Sequence, residues 1–292
     1  MRSSSSLASF RASCVRLALF GAVGALLVTA SGCRIEAHTQ TQFEDSSQPA
    51  KTSTKDWNGE AITINNGGVN PVTGSSGVEV TFSTTATKIT AQAVFAAHAD
   101  DDKEADAKAA IKDAVGTFVI EETATGFNIK CGHGSSHGSA SVSGSGCKKI
   151  SVTLPAGSAS KALDLTVGGG NGDLNVGSSG EAPFVKNLIV DNNGAGDVNV
   201  RARPVKDGVV VITGEFAVSV GLPSDFSAGQ ILFTTNDSDP VKANARVHAE
   251  AFPGMVSGSS YPVAGATADA AKSLNVQSKG LLDDDTVTIT KL

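Results

Sequence analysis

The chain has few aromatic and few charged residues for its length of 292. It contains one Trp and one Tyr, and charged residues make up 18% of it. So few rings argue against a platform on which sugar rings stack. Glycine, in contrast, is abundant at 32 residues. This mixture is typical of many short strands joined by glycine turns, which bury aliphatic side chains in place of large rings.

The sequence also lacks the common catalytic signatures. It contains no P-loop, no dinucleotide fingerprint and no HExxH motif. The carboxylates are numerous but scattered, and no pair stands out as an acid and its base. We therefore expect a protein that is not an enzyme and needs no cofactor.

The first 32 residues have the layout of a secretory signal peptide. Three arginines precede the uncharged run from Leu17 to Thr29, and a basic flank before a short apolar segment is typical of export. The run is shorter than the roughly 20 apolar residues of a membrane span.

This segment ends in Ala30-Ser31-Gly32-Cys33, which resembles the lipobox of bacterial lipoproteins. Ala30 stands where the family usually has an aliphatic residue. The resemblance implies cleavage before Cys33, diacylation of its thiol and a membrane partner reached through the lipid. Arg34 replaces the Asp that would retain a lipoprotein in the inner membrane, so the expected location is the cell envelope, with the outer membrane favoured.

The expected mature chain is acidic. Cleavage removes three of the 23 basic residues and none of the 29 acidic ones, which takes the net charge from −6 to about −9. Because a phosphate backbone is bound by clustered positive charge, we expect no nucleic-acid partner. A protein or another envelope component is the expected partner.

Cys131 and Cys147 are the two cysteines that remain after lipidation of Cys33. In an oxidising envelope such a pair should form a disulfide bond. Closing a loop of this size stabilises the fold by about 3 kcal/mol in the chain-entropy model.

Composition divides the mature chain into two parts. Residues 33–56 are rich in Ser, Thr, Gln, Lys and Asp, which predicts a flexible tether behind the lipidated cysteine. Residues 57–292, beginning at Trp57, are expected to form the folded β-repeat domain. One helix is predicted at about 101–115, with N-cap candidates at Asp100-Asp101-Asp102 and a stop at Gly116.

From Lys149 onward the sequence contains internal repeats, which are clearest over residues 149–235. Val152-Thr153-Leu154-Pro155 matches Val220-Gly221-Leu222-Pro223, and an alternating strand begins eight residues after each proline. Three further turns each precede an alternating strand, and their paired residues are Gly172 and Asp173, Gly196 and Asp197, and Gly214 and Glu215. Glycine supplies positive φ in such turns, and the acidic side chain can bond its own turn backbone.

A unit of two short strands cannot bury its apolar face alone, so consecutive units should stack and share a core. The predicted fold is all-β: a β-solenoid or β-roll of stacked strand-turn-strand coils, with one short helix near the N-terminal end. A two-sheet β-sandwich built from the same strands is the alternative.

Strands punctuated by Gly-Asp or Gly-Glu turns, interspersed with Val-x-Leu-Pro segments, resemble the bacterial putative-adhesin family of β-repeat domains. The similarity is clearest from Lys149 to Thr235. The family name is an analogy to adhesins, and it implies no catalytic residues. The function expected is a lipid-anchored, adhesin-like binding or structural module.

Three short patterns suggest other chemistry. Gly134-Ser135-Ser136-His137-Gly138 matches the nucleophile elbow of hydrolases. Cys131, His133, His137 and Cys147 are residue types that bind zinc, so an envelope hydrolase or metal-binding protein that uses the 131–147 loop is the alternative function. Gly168 to Asp173 is similar to the calcium nonapeptide of β-rolls. We favour a chance match for the elbow pattern, a disulfide bond with unligated histidines for the zinc pattern, and a simple turn for the calcium pattern. We therefore expect no metal.

Overall fold

A computed structural model describes residues 7–10, 37–45, 48–67, 77–132, 134, 142–236, 246–261, 270–279 and 286–292. Within these residues the chain forms 19 strands and one helix. Those of the first half are β1 (Leu7–Phe10), β2 (Ala37–Asp45), β3 (Lys51–Thr52), β4 (Ala61–Asn66), β5 (Gly77–Ser83), β6 (Thr90–Asp100), α1 (Glu104–Val115), β7 (Val119–Glu122), β8 (Gly126–Cys131) and β9 (Val142–Pro155). Those of the second half are β10 (Leu163–Gly169), β11 (Leu174–Gly180), β12 (Phe184–Asn192), β13 (Val198–Arg201), β14 (Arg203–Gly214), β15 (Val218–Leu222), β16 (Ile231–Thr234), β17 (Val247–His248), β18 (Ser273–Ser278) and β19 (Val287–Lys291).

The strands make two sheets. Sheet 1 has the order β1-β2-β6-β9-β5-β11-β13-β15-β19-β17, with β3 also paired to β6. Sheet 2 has the order β16-β18-β14-β12-β10-β4-β8-β7. The inward side chains of both sheets belong to one buried hydrophobic cluster. The expectation of a mostly β protein with one short helix is therefore confirmed, and the sandwich alternative fits, because neither sheet closes on itself.

The two sheets run in the same order. From β8 to β16 in sheet 2 and from β9 to β17 in sheet 1, each strand is followed in the chain by the strand at the matching place in the other sheet. All neighbours in these two runs pair in parallel. We call each such pair of consecutive strands a layer. The stacking order of the layers differs from their order in the chain at both ends. The β18–β19 layer lies between the β14–β15 layer and the β16–β17 layer, and the β4–β5 layer lies between the β8–β9 layer and the β10–β11 layer.

Strand alternation places the core. In β4 the buried apolar residues are Ile62 and Ile64, and in β5 they are Val78, Val80 and Phe82. Because side chains of a strand point alternately to its two faces, β4 and β5 each contribute every second residue to the space between the sheets.

Antiparallel strands and α1 close one end of the array. In sheet 1, β6 pairs antiparallel with β9, and in sheet 2, β7 pairs antiparallel with β8. Four residues of α1 are buried in the shared core: Ala107, Ala110, Ile111 and Ala114. At the other end, the 246–261 segment covers β16, where the N–H of Ile231 donates to the carbonyl oxygen of Ser259 at 2.7 Å.

The helix is shorter at its start than expected. It begins at Glu104, its N-cap is Lys103, and no side chain caps it, so the N-cap expectation for Asp100-Asp101-Asp102 is wrong. The chain instead turns at this point through a bond from the N–H of Lys103 to the carbonyl oxygen of Asp100, at 2.8 Å. Gly116 ends the helix as predicted.

Within the 33–56 segment, the structure describes strands at residues 37–45 and 51–52. β2 pairs antiparallel with β6, from Gln40 beside Asp100 to Asp45 beside Phe95, and β3 adds a second short pairing. Backbone pairing at a sheet edge needs few apolar side chains, and Phe43 packs against the core. Ordered structure therefore begins before Trp57. β1 lies inside the predicted signal peptide and pairs with the first residues of β2.

The last residues of six sheet 2 strands form what we call the corner column: Cys131, Asn66, Gly169, Asn192, Gly214 and Ser278. Three of its members hydrogen-bond, through their side chains, backbone carbonyls at or just before the start of a sheet 1 strand. Asn66 donates to the carbonyl oxygen of Gly77 at 3.0 Å, Ser278 to that of Phe216 at 2.7 Å, and Asn192 to two carbonyls. The column thus satisfies buried backbone groups where the chain passes from sheet 2 to sheet 1.

Candidate functional site

Cys131 and Cys147 form the predicted disulfide bond, with their Cα atoms 6.1 Å apart. Both residues are buried in the shared core. The bond joins the end of β8 to β9 within one layer, so it closes the corner of that layer.

The bond also bears on the alternative functions of the 131–147 loop. It uses both sulfur atoms that a zinc site would need. His133 and residues 135–141, including Ser136 and His137, lie outside the described residues. Among the residues that the structure describes, no group of three or more His, Cys, Asp or Glu is placed to hold a metal ion.

The predicted repeat turns are only partly equivalent. Leu174 pairs with Val198, so Gly172 and Asp173 occupy the same places in their layer as Gly196 and Asp197 in the next. Asp173 accepts a hydrogen bond from the N–H of Asp197 at 3.0 Å. The acidic side chain therefore bonds the neighbouring layer, whereas we expected a bond to its own turn.

Gly214 and Glu215 are out of phase with the other two turns. Val198 pairs with Val218, so Ala217 takes the place equivalent to Asp197. Gly214 is instead the last residue of β14 and a member of the corner column. The expectation of positive φ at these glycines holds at Gly196, whose φ is 141°, and fails at Gly172 and Gly214.

The calcium-like segment from Gly168 to Asp173 spans the end of β10 and the turn before β11. Its polar side chains bond the next layer, since the side-chain oxygen of Asn171 accepts a hydrogen bond from the N–H of Ala195 at 3.1 Å. Asp173 bonds Asp197 in the same way. The segment thus has a structural use that requires no ion.

Cys33, the predicted lipidation site, lies outside the described residues. No helix in the described part of the chain is long and apolar enough to cross a membrane.

The outward face of sheet 1 is polar and its side chains pair with one another. Asn199 donates to Asn175 in the adjacent strand at 3.2 Å, and the hydroxyl oxygens of Thr81 and Thr153 lie 3.1 Å apart. Parallel, in-register strands place like residues side by side, which permits such ladders.

The outward face of sheet 2 differs in one register row, where three of four paired residues are apolar. Ile189 of β12 pairs with Val211 of β14, Val211 with Asn275 of β18, and Asn275 with Leu232 of β16. Ile189 is 43% exposed and Leu232 is 40% exposed. We call these four residues the sheet 2 row. Large apolar side chains gathered on an outer face mark a contact surface more often than single ones do.

The motifs in the sequence did not point to this row, although two apolar runs could have indicated it. Ile189 lies in the continuous run Leu188-Ile189-Val190, and Val211 lies in Val209-Val210-Val211-Ile212. An unbroken run in a strand implies apolar residues on both of its faces.

A shallow cleft of about 310 Å³ lies where the loops at 56–58, 83–87 and 155–161 meet. The Lys161 ammonium lies 4.8 Å from the centre of the Trp57 ring and donates to the Trp57 carbonyl oxygen at 3.2 Å. Trp57 is itself buried and donates from its ring to the carbonyl oxygen of Glu60 at 2.7 Å. These contacts fix the loops around the only Trp, and they leave no exposed ring of that residue for a ligand.

Hydrogen bonds from Thr54 lower the pKa of the Glu122 carboxyl, and two further side chains have perturbed acidity. Backbone N–H donors at Asn58 and at Glu60 itself lower the pKa of the Glu60 carboxyl. Burial lowers the pKa of His98, and the positive charge of Lys148 acts in the same direction. The two residues lie in different parts of the fold and do not form a catalytic pair.

Comparison with known proteins identifies no family. No family model matches the chain, and no curated protein matches it. Among solved structures, a putative cell adhesion protein from Clostridium sporogenes ATCC 15579 is 12% identical with a TM-score of 0.46, covering 84% of this chain and 99% of that one. A putative adhesin from Bacteroides fragilis NCTC 9343 is 10% identical with a TM-score of 0.21, covering 85% and 99%. Similarity at this level assigns no function.

Proposed function

We propose that this protein is a lipid-anchored lipoprotein of the bacterial cell envelope whose β domain is a non-catalytic, adhesin-like binding or structural module. Diacylated Cys33 is the anchor, and the outer membrane is the favoured site. The lipobox and the signal-like segment before it support the anchor. Two or more acyl chains hold a protein stably, whereas one chain alone binds marginally and reversibly.

We further propose that the layers are the coils of a β-solenoid. The matching order of the two sheets and their parallel registers support this interpretation, because both arise if the chain passes once through each sheet per coil. The strands and the segment that cover the two ends have the role of solenoid caps, which keep neighbouring chains from pairing with exposed edges.

The sheet 2 row is the observation that carries the binding role. Sheet 1 presents polar side chains that satisfy one another, while sheet 2 presents Ile189 and Leu232 to solvent. Burying such side chains against a partner contributes about 25 cal/mol for each Å² of apolar surface removed from water. With Trp57 buried, stacking against sugar rings has little support, and we propose a protein partner in the envelope.

The binding role is tested by comparing the two faces. Immobilised protein, its Ile189→Glu and Leu232→Glu double variant, and a Ser219→Glu variant on the outward face of sheet 1 are each exposed to solubilised envelope proteins. We expect at least a tenfold weaker capture of the bound partner by the double variant and unchanged capture by Ser219→Glu. Equal capture by all three would contradict a role for the sheet 2 row.

The anchor is tested separately by the mass of the amino-terminal peptide from membrane-extracted protein. We expect a chain that begins at Cys33 and carries the mass of the acyl chains. The Cys33→Ser variant should leave the membrane fraction. An unprocessed or unmodified amino terminus would contradict the lipoprotein assignment.

A further inference from the structure

Four exposed basic side chains gather where three neighbouring strands of sheet 2 begin. Lys186 lies near the start of β12, Arg203 and Lys206 lie near the start of β14, and Lys272 immediately precedes β18. These strands are adjacent in the order β18-β14-β12. We call the four residues the basic edge. They come from distant parts of an acidic chain, so neither the net charge nor the local sequence indicates the cluster.

Backbone contacts bring the members of the basic edge together. Phe184 pairs with Arg203, and the Arg203 guanidinium lies 5.8 Å from the centre of the Phe184 ring. The N–H of Lys272 donates to the carbonyl oxygen of Gly208, two residues after Lys206, at 2.8 Å. Because β12 and β18 lie one step to either side of β14, their backbones are about 10 Å apart. The four cations therefore share one end of the sheet.

The basic edge has an excess of positive charge. None of its four members forms an ion pair among the described residues. Three carboxylates are close to it: exposed Glu181 and Asp207, and half-buried Asp164 on neighbouring β10. Glu181 follows Gly180, whose carbonyl oxygen accepts from the Arg201 guanidinium at 3.4 Å, so a further cation lies beside that carboxylate. Counting Arg201, five cations against three carboxylates leave this edge positive.

The basic edge runs beside the sheet 2 row. Lys186 precedes Ile189 by three residues on β12, and Lys272 precedes Asn275 of β18 by the same number. At about 3.3 Å per residue, roughly 10 Å separates the edge from the row along the strands. Asp191 lies two residues beyond Ile189, on the opposite side of the row. The apolar row is thus flanked by positive charge on one side and by a carboxylate on the other.

We infer that the sheet 2 row and the basic edge form one docking surface for an acidic protein segment. Apolar side chains of the segment cover the row, and its carboxylates meet the basic edge. Apolar contact supplies most of the affinity, while complementary charge selects the partner and fixes its direction across the strands. Asp191 repels the same carboxylates when the segment is reversed. This inference rests on the binding role proposed for the sheet 2 row.

Three synthetic amphipathic peptides test the inference by surface plasmon resonance on the full, immobilised protein. The first carries leucines on one face with glutamates beside them, the second has lysines in place of the glutamates, and the third has serines in place of the leucines. At low ionic strength we expect the Leu–Glu peptide to bind roughly tenfold more tightly than either of the others, and added salt should reduce its advantage over the Leu–Lys peptide. Equal or tighter binding of the Leu–Lys peptide would overturn the inference. Equal binding of the Ser–Glu peptide would also overturn it, because the surface would then be a general site for anions.

Two variants with the same change of charge locate the effect. Lys186→Gln with Lys272→Gln should weaken binding of the Leu–Glu peptide by roughly fivefold. Lys108→Gln with Lys112→Gln removes the same charge from exposed positions on α1 and should leave binding unchanged. Equal effects of the two pairs would contradict the assignment of the basic edge.

The neutral variant Ile189→Ser with Leu232→Ser separates this inference from the proposed function. We expect it to lose most of its binding to the Leu–Glu peptide. If the natural protein binds both leucine peptides equally and this variant binds neither, the row acts without charge selection and only the present inference fails. Undiminished binding of the Leu–Glu peptide by the variant, or no binding of either leucine peptide by the natural protein, would contradict the binding role of the row itself.

Discussion

The side-chain amide of Asn192 donates a hydrogen bond to the carbonyl oxygen of Gly172, 3.1 Å away in the turn of the neighbouring layer. A second bond of 3.1 Å goes to the carbonyl oxygen of Gly196 in its own turn. Asn192 is fully buried. One side chain therefore links the turns of two adjacent layers from inside the corner column.

Replacing Asn192 with Ala should lower the free energy of unfolding by about 2–4 kcal/mol, because the carbonyls of Gly172 and Gly196 lose their partner and a cavity remains. Denaturant unfolding measures this loss. Asn193→Ala is the matched control, since that neighbouring side chain is exposed and bonds only Asp191 among the contacts described. A similar effect at both positions would contradict the role given to the corner column.

Gly214 tests the same column by the opposite change. A Cβ at this position would lie 2.9 Å from methyl groups of both Val198 and Val218, so Gly214→Ala should destabilise the fold by roughly 1–3 kcal/mol through overpacking. Gly168→Ala is the control, because the nearest atoms to its Cβ are 3.7 Å or more away. In thermal unfolding, Gly214→Ala should have a lower melting temperature than Gly168→Ala. An unchanged melting temperature for Gly214→Ala would show that the column is loosely packed.

The disulfide gives a third prediction. The Cys131→Ala and Cys147→Ala double variant should lose about 3 kcal/mol of stability, since the unfolded chain is no longer closed into a loop. Reduction of the natural protein should produce a comparable loss and should leave the double variant unchanged. Full stability in reducing buffer would refute a stabilising role for this bond.

His98 predicts a dependence of stability on pH. Its pKa is lowered in the folded protein, mainly by burial, so the unfolded chain takes up a proton at a higher pH than the folded one. Stability should therefore fall as the pH drops below about 6.5 and should level off below the folded pKa. His98→Gln should remove this component from unfolding free energies measured between pH 7.5 and 5, while His248→Gln at an exposed position should retain it.

Much of the fold could be predicted from the sequence because its signals are local. Alternation in Ile62 and Ile64 or in Val78, Val80 and Phe82 marks strands and their buried faces. The oxidising compartment implied by the amino terminus pairs Cys131 with Cys147. Neither inference depends on which strands become neighbours.

The order of the layers could not be predicted in this way. Matched places in β13, β15 and β19 all hold valine: Val198, Val218 and Val287. The local pattern therefore does not indicate that β19, and not β17, is the neighbour of β15. The predicted phase of Gly214 was wrong for a related reason. The Gly214-Glu215 dipeptide is typical of a turn, but Gly214 is the last residue of β14, and only three residues separate it from the start of β15.

The candidate surface could not be predicted from motifs, because it depends on how the strands pair. Register across three strand pairs brings Ile189, Val211 and Leu232 into one line, although they are far apart in the chain. No spacing rule in the sequence connects them.

The layered arrangement underlies the corner column and the sheet 2 row alike, and engineered disulfides test it directly. Ser219 of β15 pairs with Thr288 of β19, and Thr288 pairs with His248 of β17. Parallel neighbours about 4.8 Å apart can be bridged, whereas strands two steps apart cannot. Under mild oxidation, Ser219→Cys with Thr288→Cys should cross-link and Ser219→Cys with His248→Cys should not. The reverse result would mean that the layers stack in chain order, and it would contradict the arrangement described.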